Sequence, residues 1–339
     1  MHTDQTVIPT SDNGPGCQGP TIAALLAART SAGWRTRFAP APTGRLHLGH
    51  AVNAVYVWGL SRALGGTVAL RVEDHDRRRC RPEYEAGLLD DLEWLGLEPD
   101  HGVGVELRRG LSEFRQSDCA AVYERALRSL TLEGLVYPCI CSRRDIAAAL
   151  AEREGSEEAG GEVPYPGTCR DRPLGATVTE ARRLKIEGGS ERFDDVVLGA
   201  QVQTPAEQCG DLLVRDRAGQ WTYQFAVVVD DLRHDVDVII RGADLLASTG
   251  RQLRLARFLG GVAPPIFVHH PLVHRADGIK LSKSDGDTGL RDLRAAGWTP
   301  ERVLGEAARL GGLQPASRTI AAADLAVLFT SGSRSAATA

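Results

Sequence analysis

The chain has 339 residues, 42% apolar and 25% charged, enough for roughly two ordinary domains with real cores. Its 40 Lys and Arg against 44 Asp and Glu leave a formal net charge of −4, so no global field draws it to nucleic acid and a bound polyanion has to meet a local basic patch. Of seven cysteines only Cys139, Cys141 and Cys169 cluster, which argues against a disulfide framework and for a reducing compartment with one metal site.

Residues 1–33 read as a loose arm with one short helix near Thr21 to Arg29. They lack the basic start, apolar centre and small-residue cleavage site of a leader, and "TIAALLAA" is too short to span a bilayer, so the cytoplasm is the expected location. From Trp34 the pattern is strand, turn and helix through Leu64, then a strand at "TVALRVE" and a helix at "PEYEAGLLDDLEWLG". Strand and helix alternate, which predicts a parallel sheet.

A further helix, "AAVYERALRSLTLEG", leads to "LVYPCICSRRDI" and a loop-rich stretch that breaks this rhythm. The rhythm resumes with a strand at "DLLVRDRAGQWTY", the apolar "QFAVVVDDL", a strand at "DVDVIIRG", a helix at "ASTGRQLRLARFLGG" and a strand at "PIFVHH". The expected fold class is therefore α/β, a doubly wound parallel sheet of Rossmann type interrupted by an inserted subdomain. The two halves are placed at 34–115 and 211–275 and the insertion at 116–210, followed by a lysine-bearing loop and short helical region at 276–315 and a tail at 316–339.

The turn "RFAPAPTGRLHLGHA", from Arg37 to Ala51, joins the first strand to the first helix. Free N–H groups and the positive end of the helix dipole make such a glycine-bearing turn a natural phosphate site. Gly49 lets a ligand approach the backbone, and His47 and His50 can both donate to a phosphoryl group as charge builds on it. Taken alone, the tetrapeptide "HLGH" equally fits a helix start with a structural glycine. "GIKLSKSDGDT" follows more than two hundred residues later, and there Lys280 and Lys283 can close over a triphosphate.

With these two motifs in this order, the chain resembles the class I aminoacyl-tRNA synthetases, whose HIGH and KMSKS signatures match "HLGH" and "KLSKS". "LRVEDHDRRR", "LEWLGLEPD", "FRQSD", "YQFAVVVDD" and "VIIRGADLLASTGRQ" bring it closer to the glutamyl branch, from about Thr36 to Leu313. The resemblance implies ATP with Mg²⁺, bound around Pro40, His47, Gly49, His50 and Lys283, and L-glutamate as the activated substrate. It implies Arg37 and Arg241 as partners of the glutamate side-chain carboxylate, Glu73 at the amino end and Tyr223 closing the pocket. An Arg fork suits a carboxylate, and a neutral amide in its place leaves a buried charge poorly paired at about 3–5 kcal/mol.

Two positions depart from the branch. Ala41 stands where the family usually has serine, at a cost of about 1 kcal/mol for one lost hydrogen bond, and Val227 stands where glutamyl enzymes often carry a polar residue.

"YPCICSRR" and "VPYPGTCRDR" supply Cys139, Cys141 and Cys169, and three thiolates with one further oxygen or nitrogen donor satisfy tetrahedral Zn²⁺. The spacing resembles the structural zinc site of the glutamyl-queuosine tRNA(Asp) synthetases, in which a tyrosine, here Tyr165, is the fourth ligand. A chain that ends soon after the lysine loop also lacks the helical anticodon-binding domain of a full glutamyl enzyme. The resemblance thus implies transfer of glutamate to queuosine in the anticodon stem-loop of tRNA(Asp), and the nearby basic residues Arg143, Arg144, Arg170 and Arg172 offer a local patch for its phosphates despite the acidic total. No membrane or DNA partner is expected. A glutamate-activating enzyme serving a non-tRNA acceptor and a non-catalytic binding relative remain as alternatives.

Overall fold

The computed structural model describes residues 33–151, 163–175, 178–273 and 289–330. In chain order its strands are β1 (Trp34–Phe38), β2 (Gly66–Leu70), β3 (Val136–Pro138), β4 (Arg182–Leu184), β5 (Glu191–Asp195), β6 (Gly199–Gln203), β7 (Leu212–Arg215), β8 (Val238–Gly242) and β9 (Ile266–His270). The helices that matter below are α1 (Leu48–Leu64), α2 (Pro82–Leu95), α3 (Ala120–Leu132), α4 (Tyr223–Arg233), α5 (Thr249–Phe258), α6 (Leu290–Ala295) and α7 (Pro300–Leu310).

α1 buries Ala51, Val52 and every residue from Ala54 to Ser61, and a helix apolar around so much of its circumference has to be covered on all sides. β1, β2, β8 and α7 all pack on it, and Tyr56 on α1 donates to the Gly311 carbonyl at 2.7 Å. β1 runs parallel to β2 with Trp34 opposite Gly66, and β8 runs parallel to β9 with Arg241 opposite His269. The two pairs meet at Arg35, whose carbonyl accepts from Asp237 N–H at 2.9 Å and whose N–H donates to the Asp237 carboxylate at 2.8 Å. This joint places the C-terminal ends of β1 and β8 side by side, the usual place for a ligand in a doubly wound sheet.

The sheets are mixed, not all parallel. β5 is parallel to β9, but β6 returns antiparallel to β5, and β3, β4 and β7 form a separate antiparallel sheet. Within the 116–210 stretch, β5 and β6 therefore join the sheet of β8 and β9, because Phe193 packs edge-on against Phe267 at 5.2 Å and Asp195 accepts from the His269 backbone. Conversely β7, beyond residue 210, belongs with β3 and β4. The strand expected over "DLLVRDRAGQWTY" breaks after Arg215 because the Asp216 carboxylate accepts from Ala218 and Gln220 N–H, both at 2.8 Å, and folds the chain into a turn. "QFAVVVDDL" is helical, and its central residues from Phe225 to Asp230 are all buried.

Behind this helix lies His234, 3% exposed, stacked on Phe114 at 4.6 Å, with no hydrogen-bond partner among the described residues for either ring nitrogen. Burial, with Arg233 and Arg71 nearby, lowers its pKa from 6.5 to about 3, so the folded chain holds the ring neutral while the unfolded chain takes up a proton below pH 6.5. Stability is therefore lost as pH falls from 6.5 toward 3, by about 1–2 kcal/mol on reaching pH 5. His234→Phe keeps the stack and removes the titration; the fall in Tm between pH 7 and pH 5 should be smaller in the variant than in the parent.

Candidate active site

The turn before α1 is organised by its own histidines. His47 is the N-cap residue, and its Nδ1 accepts from Gly49 N–H at 3.1 Å while His50 Nδ1 accepts from His47 N–H at 3.2 Å. Each Nδ1 is an acceptor here, so the neutral rings carry their protons on Nε2, and the ring centroids lie 4.0 Å apart. A Cβ on Gly49 would come within 2.9 Å of His47 Cε1, so the glycine makes room for the capping ring. The turn is tied to the start of α6 by Leu290 N–H donating to the Leu46 carbonyl at 2.8 Å. Lys280 and Lys283 lie outside the described residues, in the stretch that ends immediately before Gly289.

Beside this turn sits a cage of buried charge. Arg71 is completely buried; Nη1 donates to Asp231 Oδ1 at 2.7 Å, Nη2 to Glu73 Oε1 at 3.0 Å, and Nε lies 3.8 Å from Asp230 Oδ2. Arg37 shares the same Asp231 oxygen through Nε at 3.0 Å and donates to the Ile240 carbonyl at 3.3 Å. Burial alone would raise the Asp231 pKa, but Arg37 and Arg71 together outweigh it and hold the carboxyl below its usual range. Asp230 turns the other way, accepting from Gln116 at 2.8 Å, Tyr123 at 2.9 Å and Arg233 at 2.8 Å. Glu73 N–H donates to the Pro40 carbonyl at 3.1 Å, which ties this cage to the "PAP" turn that holds Ala41.

Arg241 reaches the same space from β8. Its Nη1 donates to Gln252 at 2.7 Å, its Nη2 to Thr249 at 2.8 Å and its Nε to His269 at 3.0 Å, while the Tyr223 phenol also hydrogen-bonds it. The Tyr223 pKa is raised, first by burial and then by the charge of Glu73, with Arg241 and Arg37 opposing. The structure thus brings Arg37, Glu73, Tyr223 and Arg241 into one electrostatic environment, an arrangement of two cations and one anion around a phenol.

A second cluster lies in the small antiparallel sheet. The sulfurs of Cys139, Cys141 and Cys169 lie within 4.8 Å of one another, and the Tyr165 hydroxyl is 3.4 Å from Cys139 Sγ and 3.5 Å from Cys141 Sγ. Cys169 N–H donates to that hydroxyl at 2.9 Å, and the Arg183 guanidinium stacks 3.7 Å from the Tyr165 ring centroid. Three sulfurs and one oxygen converging in a buried pocket are a donor set that can hold a metal ion. Of the basic residues nearby, Arg143, Arg144 and Arg172 are exposed, whereas Arg170 is held by Asp211 and by the Ile186 carbonyl at 3.0 Å.

A family model described as tRNA synthetases class I (E and Q), catalytic domain, matches residues 34–331. The chain belongs to that family. A Glutamyl-Q tRNA(Asp) synthetase of Nitratidesulfovibrio vulgaris is 40% identical over 293 residues, covering 83% of this chain and 87% of that protein. A glutamate–tRNA ligase 2 of Syntrophus aciditrophicus is 37% identical over 82% of this chain but only 57% of that protein. Among solved structures, a glutamate tRNA ligase from Elizabethkingia meningosepticum in complex with its amino acid is 25% identical, with a TM-score of 0.72 over 86% of this chain and 64% of that one. The chain therefore spans just under two thirds of that solved ligase. No helix among the described residues is long and apolar enough to cross a membrane.

Within this class I synthetase fold, sequence reasoning left Arg71, Asp230 and Asp231 without a role. Their signal was present: one arginine inside the apolar strand run "VALRVE", and two aspartates closing the apolar run "FAVVVDD". Charges written into such runs are buried and have to find each other. Arg71→Met strands Glu73 and Asp231 without their shared cation, and should destabilise the protein by about 3–5 kcal/mol in urea or thermal unfolding.

Proposed function

We propose that the chain activates L-glutamate with ATP and Mg²⁺ to glutamyl-adenylate, releasing pyrophosphate, and transfers the glutamyl group to queuosine in the anticodon of tRNA(Asp), in the cytoplasm. The observation that carries this reading is the convergence of Arg37, Glu73, Tyr223 and Arg241 beside the His47 and His50 turn. It is supported by relatives of matching length that bear the name Glutamyl-Q tRNA(Asp) synthetase.

In this reading Arg37 and Arg241 hold the side-chain carboxylate and Glu73 meets the ammonium, which orients the α-carboxylate toward the α-phosphate. That carboxylate attacks in line and pyrophosphate leaves. The Nε2–H groups of His47 and His50 stabilise the charge on the α-phosphate, Pro40 and Gly49 lie against ATP, and Lys280 and Lys283 clamp the β and γ groups. Catalysis is positioning with electrostatics, without a covalent intermediate on the enzyme. Ala41 leaves the amino end with one donor–acceptor contact fewer than a serine would provide.

Glutamate-dependent exchange of pyrophosphate into ATP should proceed with protein, Mg²⁺ and glutamate alone, and Lys283→Ala should slow it by roughly a hundredfold. In a second stage, labelled glutamate is supplied with tRNA(Asp) with and without queuosine and, separately, with tRNA(Glu). Label on the modified anticodon base is expected. Label on the terminal adenosine of tRNA(Glu) would instead make this a conventional charging enzyme, and adenylate formation with no labelled tRNA would point to another acceptor.

The Cys139, Cys141, Tyr165 and Cys169 set is assigned to one structural Zn²⁺, which would fix the fold of a segment with a small apolar core. Elemental analysis of protein prepared without chelator should find about one zinc per chain. Cys169→Ser should lose most of it and melt the small sheet at lower temperature; full zinc retention would remove the assignment.

A further inference from the structure

Arg241 does not stand alone on β8. His269, its directly opposed neighbour in the β8–β9 register, accepts the Arg241 Nε–H on Nε2 at 3.0 Å. The other nitrogen of the same ring, Nδ1, lies 2.7 Å from Asp195 Oδ2, which also accepts the His269 backbone N–H at 3.1 Å. The second oxygen, Asp195 Oδ1, accepts from Val197 N–H at 2.9 Å and Leu198 N–H at 2.8 Å. Both side chains are fully buried, so neither exchanges its partners with water.

The donor–acceptor arithmetic leaves one arrangement. A carboxylate at Nδ1 and a guanidinium N–H at Nε2 are satisfied together only by a neutral imidazole with its proton on Nδ1. Burial, the main cause of its lowered pKa, favours the same neutral form. Asp195 is held by four hydrogen bonds, so the ring is fixed and with it the roll of the guanidinium about its own axis. Thr249 and Gln252 then take one N–H from each terminal nitrogen. Three of the five guanidinium hydrogens are thereby committed to the wall and a fourth to the Tyr223 phenol, so the plane of the guanidinium is set before substrate arrives.

We propose that Asp195 and His269 are positioning residues for substrate selection: they lock the plane of the Arg241 guanidinium so that it presents donors only, in a fixed direction, to a carboxylate side chain. The inference rests on the reading of Arg241 as the partner of the glutamate carboxylate. A preset cation that offers only N–H donors favours a carboxylate and disfavours an amide, which leaves the charge unpaired and turns a donor toward a donor if it rotates. The function of the relay is therefore discrimination between glutamate and glutamine, with no proton moved.

The test is pyrophosphate exchange by the full-length protein as a function of glutamate, glutamine and ATP, for His269→Leu, His269→Gln, Asp195→Asn and Arg241→Leu, each first checked for a cooperative melt. His269→Leu and Asp195→Asn should raise KM for glutamate about ten- to a hundredfold, with KM for ATP and kcat changed by no more than about threefold. The ratio of kcat/KM for glutamate over glutamine should fall by a similar factor. His269→Gln, whose amide oxygen reaches the place of Nε2, should recover most of the loss. Parent-like glutamate KM in a folded Asp195→Asn protein, or equal losses for glutamate and ATP without rescue by glutamine at 269, would overturn the inference and reduce the pair to core packing. If Arg241→Leu itself leaves glutamate KM unchanged, the pocket reading fails instead; if Arg241→Leu raises it and His269→Leu does not, only the relay fails.

Discussion

A fully buried guanidinium, Arg71, is the constraint around which the catalytic half is arranged. It leaves water entirely, a penalty of several kcal/mol that only close carboxylates can offset. Asp231 and Glu73 supply hydrogen-bonded partners and Asp230 lies just beyond, and each carboxylate is then itself committed elsewhere. Asp231 is shared with Arg37, and Asp230 is satisfied by Gln116, Tyr123 and Arg233. The network therefore couples β1, the end of β2, the 3₁₀ turn at Gln116–Cys119, α3 and α4 through single side chains.

The same arrangement explains why the pocket is poised for a charged substrate. Two arginines, Arg37 and Arg241, face one carboxylate, Glu73, across a phenol, and each of the three is anchored by side chains that do not enter the space themselves. Ordering these groups before a ligand arrives lowers the entropic cost of binding. The charges come from different elements: Arg37 from β1, Glu73 from just beyond β2 and Arg241 from β8, with the Tyr223 phenol at the start of α4.

Away from this centre the small sheet of β3, β4 and β7 is held by a different logic. Leu184, Leu212 and Val214 pack into the core shared with Tyr123 and Phe225, whereas the buried cluster on the cysteine-bearing side is Tyr137, Cys139, Tyr165 and Cys169, nearly the same residues that offer metal donors. Asp211 compensates by accepting from Tyr137 at 2.6 Å, from Arg170 and from Ile186 N–H at 2.8 Å, which pins the cysteine-bearing loops to the strand that continues into the catalytic half.

The alternation of apolar strands and helices, the turn at Arg37 to Ala51 and the three clustered cysteines were legible in the linear chain, because each depends on local periodicity or short spacing. So were Arg37, Glu73, Tyr223 and Arg241, through ordered blocks shared with a family. Three things required the tertiary structure. The capping ring of His47 occupies the space that a Cβ on Gly49 would take, a contact the linear chain does not display. β6 lies in a stretch whose residues show no strand pattern, and it runs antiparallel to β5, since a hairpin of three intervening residues leaves no room for a crossover. And the meeting of Arg71 with Asp231, or of Arg241 with His269 and Asp195, joins residues 160, 28 and 74 positions apart. Local sequence carries the propensity of each charged residue to be in a strand or helix; which buried charge it pairs with is decided by strand register, because partners across a sheet are set by alignment of distant segments and not by spacing along one.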